Sequence, residues 1–139
     1  RLVVIGHGPM EAELRRALPA NVRLLSGLDD AQMRWAYAHA TALVAPSHED
    51  FGLTPLEAGA FGKPTLALHA GGYLDTITPG VNGSFFDEPS AQAIRAAVVA
   101  NRAVDWDAAA ITANVRRFDE SRFHEEIARR VATLLQDET

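Results

Sequence analysis

Two glutamates in the stretch "HEDFGLTPLE" are the residues of this sequence best suited to chemistry. Seven residues separate Glu49 from Glu57, and a glycine and a proline lie in that interval. A helix beginning just after Gly52-Leu53 would point its free N–H groups and positive dipole end at an anion, most simply a phosphate. Glu57 could then accept hydrogen bonds from a sugar diol, as a carboxylate does with ribose in dinucleotide-binding folds. Glu49 would lie on the opposite side of the phosphate.

The same stretch also has a purely structural interpretation. Thr54 is a good N-cap residue and Pro55 a good first helical residue. The four residues from Thr54 to Glu57 therefore also fit a capping box, in which Glu57 bonds only the backbone N–H of Thr54. Taken alone, these four residues favour that capping role, and Glu49 alone is typical of a solvated loop acid.

Composition favours a soluble globular protein and excludes several kinds of partner. The 139 residues are enough for one domain with a two-sided core, and we predict a single unit over residues 1–139. The net charge of −5 and the single lysine, Lys63, provide no basic stripe, so nucleic acid is excluded as a partner. The absence of cysteine excludes disulfides and cysteine-ligated metal.

The apolar pattern of the chain predicts neither a transmembrane segment nor a signal peptide. No apolar run approaches the ~20 residues that cross a bilayer, so we expect a cytoplasmic protein. His39, His69 and His124 lack the spacing of a metal site, and we predict no metal. The sequence opens directly into the strand-like "RLVVIG", which is typical of a piece cut from a longer protein.

Strand-like and helix-like segments alternate along the chain. The pattern predicts strands at 1–6, 21–25, 41–46 and 64–68, with a short one after a turn at Asn82-Gly83. It predicts helices at 9–18, 54–61, 90–100, 107–117 and 121–135, and one capped by Asp29-Asp30 that carries Met33, Ala36, Tyr37 and Ala40 on one face. This order predicts a Rossmann-like, doubly wound parallel sheet with helices on both faces. Ligands of such sheets bind beyond the carboxyl ends of the strands, here the loops at 6–8, 26–28, 47–53 and 69–72.

The segment "PSHEDFGLTPLEAGAFGKPTLAL", with its Glu-x7-Glu spacing, resembles the signature of the retaining glycosyltransferases of the GT-B fold, specifically glycosyltransferase family 4. "VVIGHGP" and "LLSGLDDAQMRWAYAHATALVAPS" upstream, and "GGYLDTITPGVNGSFFDEPSAQAIRAAV" downstream, resemble the same family in the same order. In that family two Rossmann-like domains face each other across a cleft. The resemblance implies that this chain is the C-terminal, donor-binding half without its first strand.

The resemblance also implies a role for each residue of the motif. Glu57 would bind the ribose hydroxyls, and Glu49 would be the catalytic residue beside the anomeric carbon of the donor sugar. The other residues of the implied donor site are Phe51 beside the sugar, the N–H groups of Gly52, Leu53 and Thr54 at the diphosphate, Gly27, Leu28 and Asp30 around the base, and Gly8.

The implied reaction is transfer of a hexose from a GDP- or UDP-sugar to a glycan, lipid or small-molecule acceptor, with retained anomeric configuration. The resemblance implies that this reaction needs neither a metal nor a cofactor. It also implies a place in polysaccharide biosynthesis and an N-terminal acceptor-binding domain as partner. Peripheral membrane contact of the full protein stays open. The basic residues that clamp the diphosphate in the family come from upstream of Arg1, so we expect the isolated fragment to be inactive. The alternatives are a non-catalytic nucleotide-binding or regulatory module of the same fold, and a nucleotide-sugar epimerase.

Two departures from the family pattern leave the donor sugar open. The loop between Pro46 and Glu49 is one residue shorter than in many relatives. Asp75 stands after the Gly-Gly pair, where the family more usually has glutamate.

Overall fold

Strands and helices alternate in the computed structural model, which describes residues 1–137. The strands are β1 (Leu2–Ile5), β2 (Val22–Leu25), β3 (Leu43–Ala45), β4 (Thr65–Leu68) and β5 (Gly83–Phe86). The helices are α1 (Glu11–Arg16), α2 (Asp30–His39), α3 (Leu53–Ala60), α4 (Tyr73–Thr76), α5 (Ala91–Asn101), α6 (Ala108–Val115) and α7 (Glu120–Asp137), with a 3₁₀ turn at Arg116–Phe118. Each predicted element is present with shifted ends. None of the helices within residues 1–137 is long and apolar enough to cross a membrane.

The chain divides into two compact units, Arg1–Ala36 and the remainder from Tyr37. In the first unit β1 and β2 form a parallel pair. The guanidinium of Arg15, on α1, donates to the carbonyl oxygen of Leu24 at 3.1 Å and so ties the helix to β2. The assignment of all 139 residues to a single domain stays a prediction.

The β1 strand is less buried than its apolar sequence suggests. All four of its side chains, Leu2 to Ile5, are 38–46% exposed in the described part of the chain. Its backbone is paired nonetheless: Leu2 lies opposite Val22, and the N–H of Leu2 donates to the carbonyl of Asn21 at 2.9 Å. The strand is therefore present as predicted, but its side chains do not form a core.

The second unit contains a three-stranded parallel sheet with β4 in the centre, between β3 and β5. Thr65 of β4 lies opposite Leu43 on one side and Gly83 on the other. The central strand is almost fully buried, with Leu66 1% and Ala67 0% exposed. A continuous apolar strand buried in a parallel sheet is what the "PTLAL" segment predicts.

Local capping signals set the starts of three helices. Asp29 and Gln32 form a reciprocal pair at the start of α2, in which each side chain accepts from the other's backbone N–H, at 3.0 and 2.8 Å. Ser90 caps α5 by accepting from the N–H of Ala93, and Asp107 caps α6. The cap predicted at Asp29-Asp30 is confirmed at Asp29, and the helices predicted from Ser90 and Asp107 begin one residue later, at Ala91 and Ala108.

The helix α3 is held in place by α6. Gly59 of α3 lies directly against the side chain of Val115, so a Cβ atom at position 59 would collide with Val115 Cγ1. Ile111, one turn before Val115, is fully buried. Because α3 follows the Glu49 loop, this close approach also fixes the position of the loop that precedes it.

We expect Gly59→Ala to destabilise the second unit. Overpacking costs ~1–3 kcal/mol, whereas the better helix propensity of alanine returns ~1 kcal/mol, so we expect a net loss of up to ~2 kcal/mol. In a Val115→Ala background the collision disappears, and the same substitution should become neutral or stabilising. Denaturant unfolding of the four proteins of this double-mutant cycle measures the coupling. A Gly59→Ala effect that is equal in both backgrounds would contradict the proposed contact.

Candidate functional site

The start of α3 differs from the sequence-based prediction by two residues. The helix begins at Leu53, and its N-cap position is Gly52, which has φ +83° and makes no side-chain cap hydrogen bond. Thr54 is therefore the second helical residue and Pro55 the third, so their assignment as N-cap and first residue is wrong. A glycine adopts the left-handed conformation without penalty and turns the chain into the helix earlier. Pro55 is tolerated because the N–H groups of a first turn have no intrahelical acceptor.

The capping-box interpretation of Glu57 is also wrong. Glu57 is the fifth residue of α3 rather than the third, which is the position from which a capping box reaches back. Its Oε2 atom instead accepts a 2.7 Å hydrogen bond from the hydroxyl of Tyr37, in the last turn of α2. The exposed carboxylate is thus fixed by a residue 20 positions away in sequence, and not by its own helix end.

The start of α3 presents a small set of backbone donors. The N-cap and first-turn N–H groups of a helix have no intrahelical acceptor, and Pro55 has no N–H. The donors left at this end are those of Gly52, Leu53 and Thr54, the three residues predicted to meet a diphosphate. Whether they bind one stays a prediction. Leu53 is 62% exposed and Thr54 is also exposed, whereas Gly52 at the N-cap is buried.

The backbone at Gly52 lies on the ring of Tyr73. A Cβ atom at position 52 would lie 2.7 Å from Cδ1 of Tyr73 and 3.4 Å from Oγ1 of Thr76. Tyr73 itself is 1% exposed and belongs to the core cluster with Ala45 and Ala67. Gly52 is therefore required twice, by its left-handed backbone and by the aromatic ring beneath it.

The Gly-Gly pair that follows β4 packs directly on the Glu49 loop. The N–H of Gly72 donates to the carbonyl oxygen of Glu49 at 2.7 Å. A Cβ atom at Gly71 would collide with that same carbonyl, and one at Gly72 would collide with the backbone of Phe51. Two loops that leave neighbouring strands thus form one packed structure.

The carboxylate of Glu49 is oriented by Ser47. Ser47 Oγ donates to Glu49 Oε1 at 2.8 Å, and Ser47 Oγ also lies 3.2 Å from the hydroxyl oxygen of Tyr73. The catalytic assignment of Glu49 stays a prediction. Its position in the loop that precedes α3 agrees with the sequence analysis.

Phe51 contributes an aromatic side chain, 49% exposed, to the same loop. Its ring packs edge-on against Phe118, with 6.0 Å between centroids. Arg117 lies over the ring of Phe118 at 4.6 Å and donates to the carbonyl oxygen of Asp75 at 2.8 Å. The sequence does not predict a role for this arginine, because "RRF" at the end of a helical pattern indicates only a solvated helix end.

The remaining predicted site residues belong to the first unit. Gly8 lies in the loop that follows β1, with open space where a Cβ atom would be. Gly27 follows β2 with φ +66°, and its surroundings are also open. Leu28 is half-buried, and Asp30 is exposed at the start of α2. Their role at the base of a nucleotide stays a prediction.

The three side chains that fix the two acids, Tyr37, Ser47 and Tyr73, were missed by the sequence analysis as site residues. The chain has only two tyrosines, and each hydroxyl contributes to a hydrogen-bond chain that ends on one of the motif glutamates. That count could have drawn attention to them. Among residues 1–137, no group of three or more His, Asp or Glu side chains is arranged to hold a metal ion.

The environment of Tyr37 changes its acidity. Burial, followed by the hydrogen bond to the Glu57 carboxylate and the negative charge of that group, raises the pKa of Tyr37 far above its ordinary value. Tyr37 therefore keeps its proton throughout the physiological range and acts as a permanent donor to Glu57. A neutral donor orients the carboxylate without cancelling its charge.

The sequence matches known proteins along most of its length. Residues 1–100 match the family model described as "Glycosyl transferases group 1". A glycogen synthase from Pseudomonas aeruginosa is 39% identical over 105 residues, which cover 71% of this chain and 20% of that protein. The match thus spans about a fifth of the length of this curated relative.

Solved structures match the fold. The lipopolysaccharide outer core galactosyltransferase WaaB, in its apo form, aligns with a TM-score of 0.76 at 23% identity, covering 96% of this chain and 40% of its own. Anabaena HepE in complex with UDP-glucose aligns with a TM-score of 0.69 at 23% identity, covering 94% and 40%. These likenesses confirm the predicted α/β fold with parallel sheets as that of the GT-B glycosyltransferases.

We expect Glu57→Gln to lower the pKa of Tyr37 while leaving it above the ordinary value of ~10, because burial is the larger cause of the shift. A folded-state pKa above the unfolded one stabilises the protein at low pH. That contribution is present below pH ~10 and is lost as the pH rises further. NMR titration with tyrosine labelled at Cζ measures the pKa of Tyr37, and Asp50→Asn, at an acid of the loop that precedes α3, is the control. An unchanged pKa in Glu57→Gln would contradict the Tyr37–Glu57 hydrogen bond.

Proposed function

The chain belongs to the group 1 glycosyl transferases, and we propose that it is the donor-binding part of a retaining enzyme of glycosyltransferase family 4. Its reaction is the transfer of a hexose from a GDP- or UDP-sugar to a glycan, lipid or small-molecule acceptor. The observation that carries this proposal is the arrangement around α3: three backbone donors begin the helix, Glu49 precedes them and Glu57 follows them. Each of the two acids is fixed by a hydroxyl group.

The diphosphate of the donor is proposed to bind at the start of α3. The N–H groups of Gly52, Leu53 and Thr54 and the helix dipole favour negative charge there. Negative charge grows on the leaving phosphate as the bond to the sugar breaks, so donors at this point act where stabilisation accelerates the reaction. We propose that backbone groups perform this role without a metal ion.

Glu57 is proposed to bind the ribose of the donor. An ionised carboxylate has about four acceptor positions, and Tyr37 occupies one of them on Oε2. The remaining positions suit the two hydroxyls of a diol. Because the side chain is exposed yet held by Tyr37, it is already oriented when the nucleotide arrives.

Glu49 and Phe51 are proposed to lie beside the donor sugar. They belong to the loop that leads into the phosphate-binding helix end, so a sugar attached to the diphosphate would pass them. The exposed ring of Phe51 offers an apolar face to the sugar's C–H groups, and Glu49 offers charge near the anomeric carbon.

The relatives support this choice of donor and reaction. The Anabaena HepE structure contains UDP-glucose, and WaaB is named a galactosyltransferase. Glycogen synthase, the name of the Pseudomonas relative, supports a place in polysaccharide biosynthesis. We propose that the acceptor binds a separate N-terminal domain, that the enzyme acts in the cytoplasm, and that the 139-residue chain alone does not catalyse.

Binding of nucleoside diphosphates by the chain tests the proposal. We expect UDP or GDP to bind in calorimetric titration, and Glu57→Gln to weaken that binding about tenfold, since a hydrogen bond to a charged group contributes ~1.5–3 kcal/mol. Glu13→Gln, the same change at an exposed acid of α1, should leave it unchanged. Absence of binding would refute the proposal, and equal binding by Glu57→Gln would remove Glu57 from the ribose site.

Activity of the full-length protein tests the reaction itself. We expect a product with the anomeric configuration of the donor, and a loss of kcat of about a hundredfold or more in Glu49→Gln, as for loss of a group that stabilises a transition state. NMR of the anomeric proton measures the first, and an assay of released nucleotide measures the second. Asp50→Asn is the matched control. Inversion would contradict the retaining assignment, and product formed without acceptor would indicate an epimerase.

A further inference from the structure

A chain of three groups leads from the core of the second unit to the carboxylate of Glu49. Ser47 Oγ lies 2.8 Å from Glu49 Oε1 and 3.2 Å from the hydroxyl oxygen of Tyr73. Ser47 Oγ donates to Glu49 Oε1, so the single proton of Ser47 points to Glu49. The proton of Tyr73 then points to Ser47. The direction of the relay is thus fixed as Tyr73 to Ser47 to Glu49.

The buried end of this relay is rigid. Tyr73 is 1% exposed and packs with Ala45, Ala67 and Ile77. Its ring also lies under Gly52, where there is no room for a Cβ atom. The hydroxyl of Tyr73 therefore has one position, which is set by core packing rather than by the loop it supports.

The exposed end of the relay would be mobile without it. Glu49 is an exposed glutamate on a loop, and a free glutamate side chain loses up to ~1.5–2 kcal/mol of rotamer entropy when it is ordered. The Gly72 N–H already holds the carbonyl of Glu49 at 2.7 Å. Consecutive residues, Gly72 and Tyr73, thus hold the backbone of Glu49 and, through Ser47, its carboxylate.

We propose that Ser47 and Tyr73 are positioning residues that set the Glu49 carboxylate for the donor sugar. This inference rests on the proposed function, in which Glu49 lies beside that sugar. The relay acts on one oxygen, Oε1, and leaves Oε2 for the ligand. Its effect falls on the sugar of the donor and not on the nucleoside diphosphate, which is bound by α3 and Glu57.

The alternative is that Ser47 only satisfies the buried hydroxyl of Tyr73. The two roles give different results. If Ser47 has that structural role alone, its loss lowers thermal stability and changes the affinities for the nucleoside diphosphate and for the nucleotide sugar by the same factor. If it positions Glu49, its loss weakens the sugar-bearing ligand selectively.

Paired titrations with UDP and UDP-glucose, and with GDP and GDP-mannose, separate these roles. In Ser47→Ala we expect the affinity for the nucleotide sugar to fall about fivefold to tenfold, and that for the nucleoside diphosphate to change less than about twofold. Ser47→Thr keeps the hydroxyl and should retain the wild-type affinity. Ser121→Ala, an exposed serine of α7, is the matched control.

The tyrosine is tested by a double-mutant cycle. Tyr73→Phe keeps the ring under Gly52 and removes only the hydroxyl, so we expect about a twofold to threefold loss for the nucleotide sugar. Combined with Ser47→Ala it should add nothing, because the relay is already broken. If Ser47→Ala still binds the nucleoside diphosphate and binds the nucleotide sugar with wild-type affinity, the positioning role of Ser47 and Tyr73 is overturned, but the proposed function is not. Failure of every diphosphate to bind would overturn the proposed function and this inference together.

Discussion

The close packing of the loop after β4 on the loop after β3 is the constraint on which the rest of the site depends. The loop that carries Glu49 lies on Gly71, Gly72 and Tyr73, with no room for a Cβ atom at either glycine. The strands β3 and β4 are parallel neighbours, so the loops at their carboxyl ends must meet. Backbone then packs on backbone, which leaves the course of the Glu49 loop little dependent on side-chain conformations.

The type of donor that holds each acid distinguishes Glu49 and Glu57 from Glu11 and Glu126. Glu11 and Glu126 bond to arginines, and those cations hold the pKa of each carboxyl below its usual value. Such pairs cancel charge and stabilise helices. Glu49 bonds instead to the neutral hydroxyl of Ser47, and Glu57 bonds to the neutral hydroxyl of Tyr37. A carboxylate held in this way keeps its full charge for a ligand. A binding site requires that charge, whereas the stability of a helix does not.

The distance in sequence between interacting residues decided what could be predicted. Asp29, Ser90 and Asp107 cap their helices through bonds to residues two or three positions away, and the sequence predicted a helix start at each of them. The partners of the motif acids lie far off: Tyr37 is 20 residues from Glu57, and Tyr73 is 26 from Ser47. Only the fold brings them together. The error at the start of α3 has a different cause, because a left-handed glycine there replaces the side-chain cap that Thr54 suggests.

Part of what positions the site lies outside the segment that defines the family. The family match ends at residue 100, yet α6 packs on α3 through Val115, beyond that limit. Thr112 of the same helix donates to the carbonyl of Gly59 at 3.4 Å. The likeness to solved GT-B structures extends over 94–96% of the chain and so includes α6. The side chains that hold α3 in place thus lie partly in a stretch that the family's sequence model does not cover.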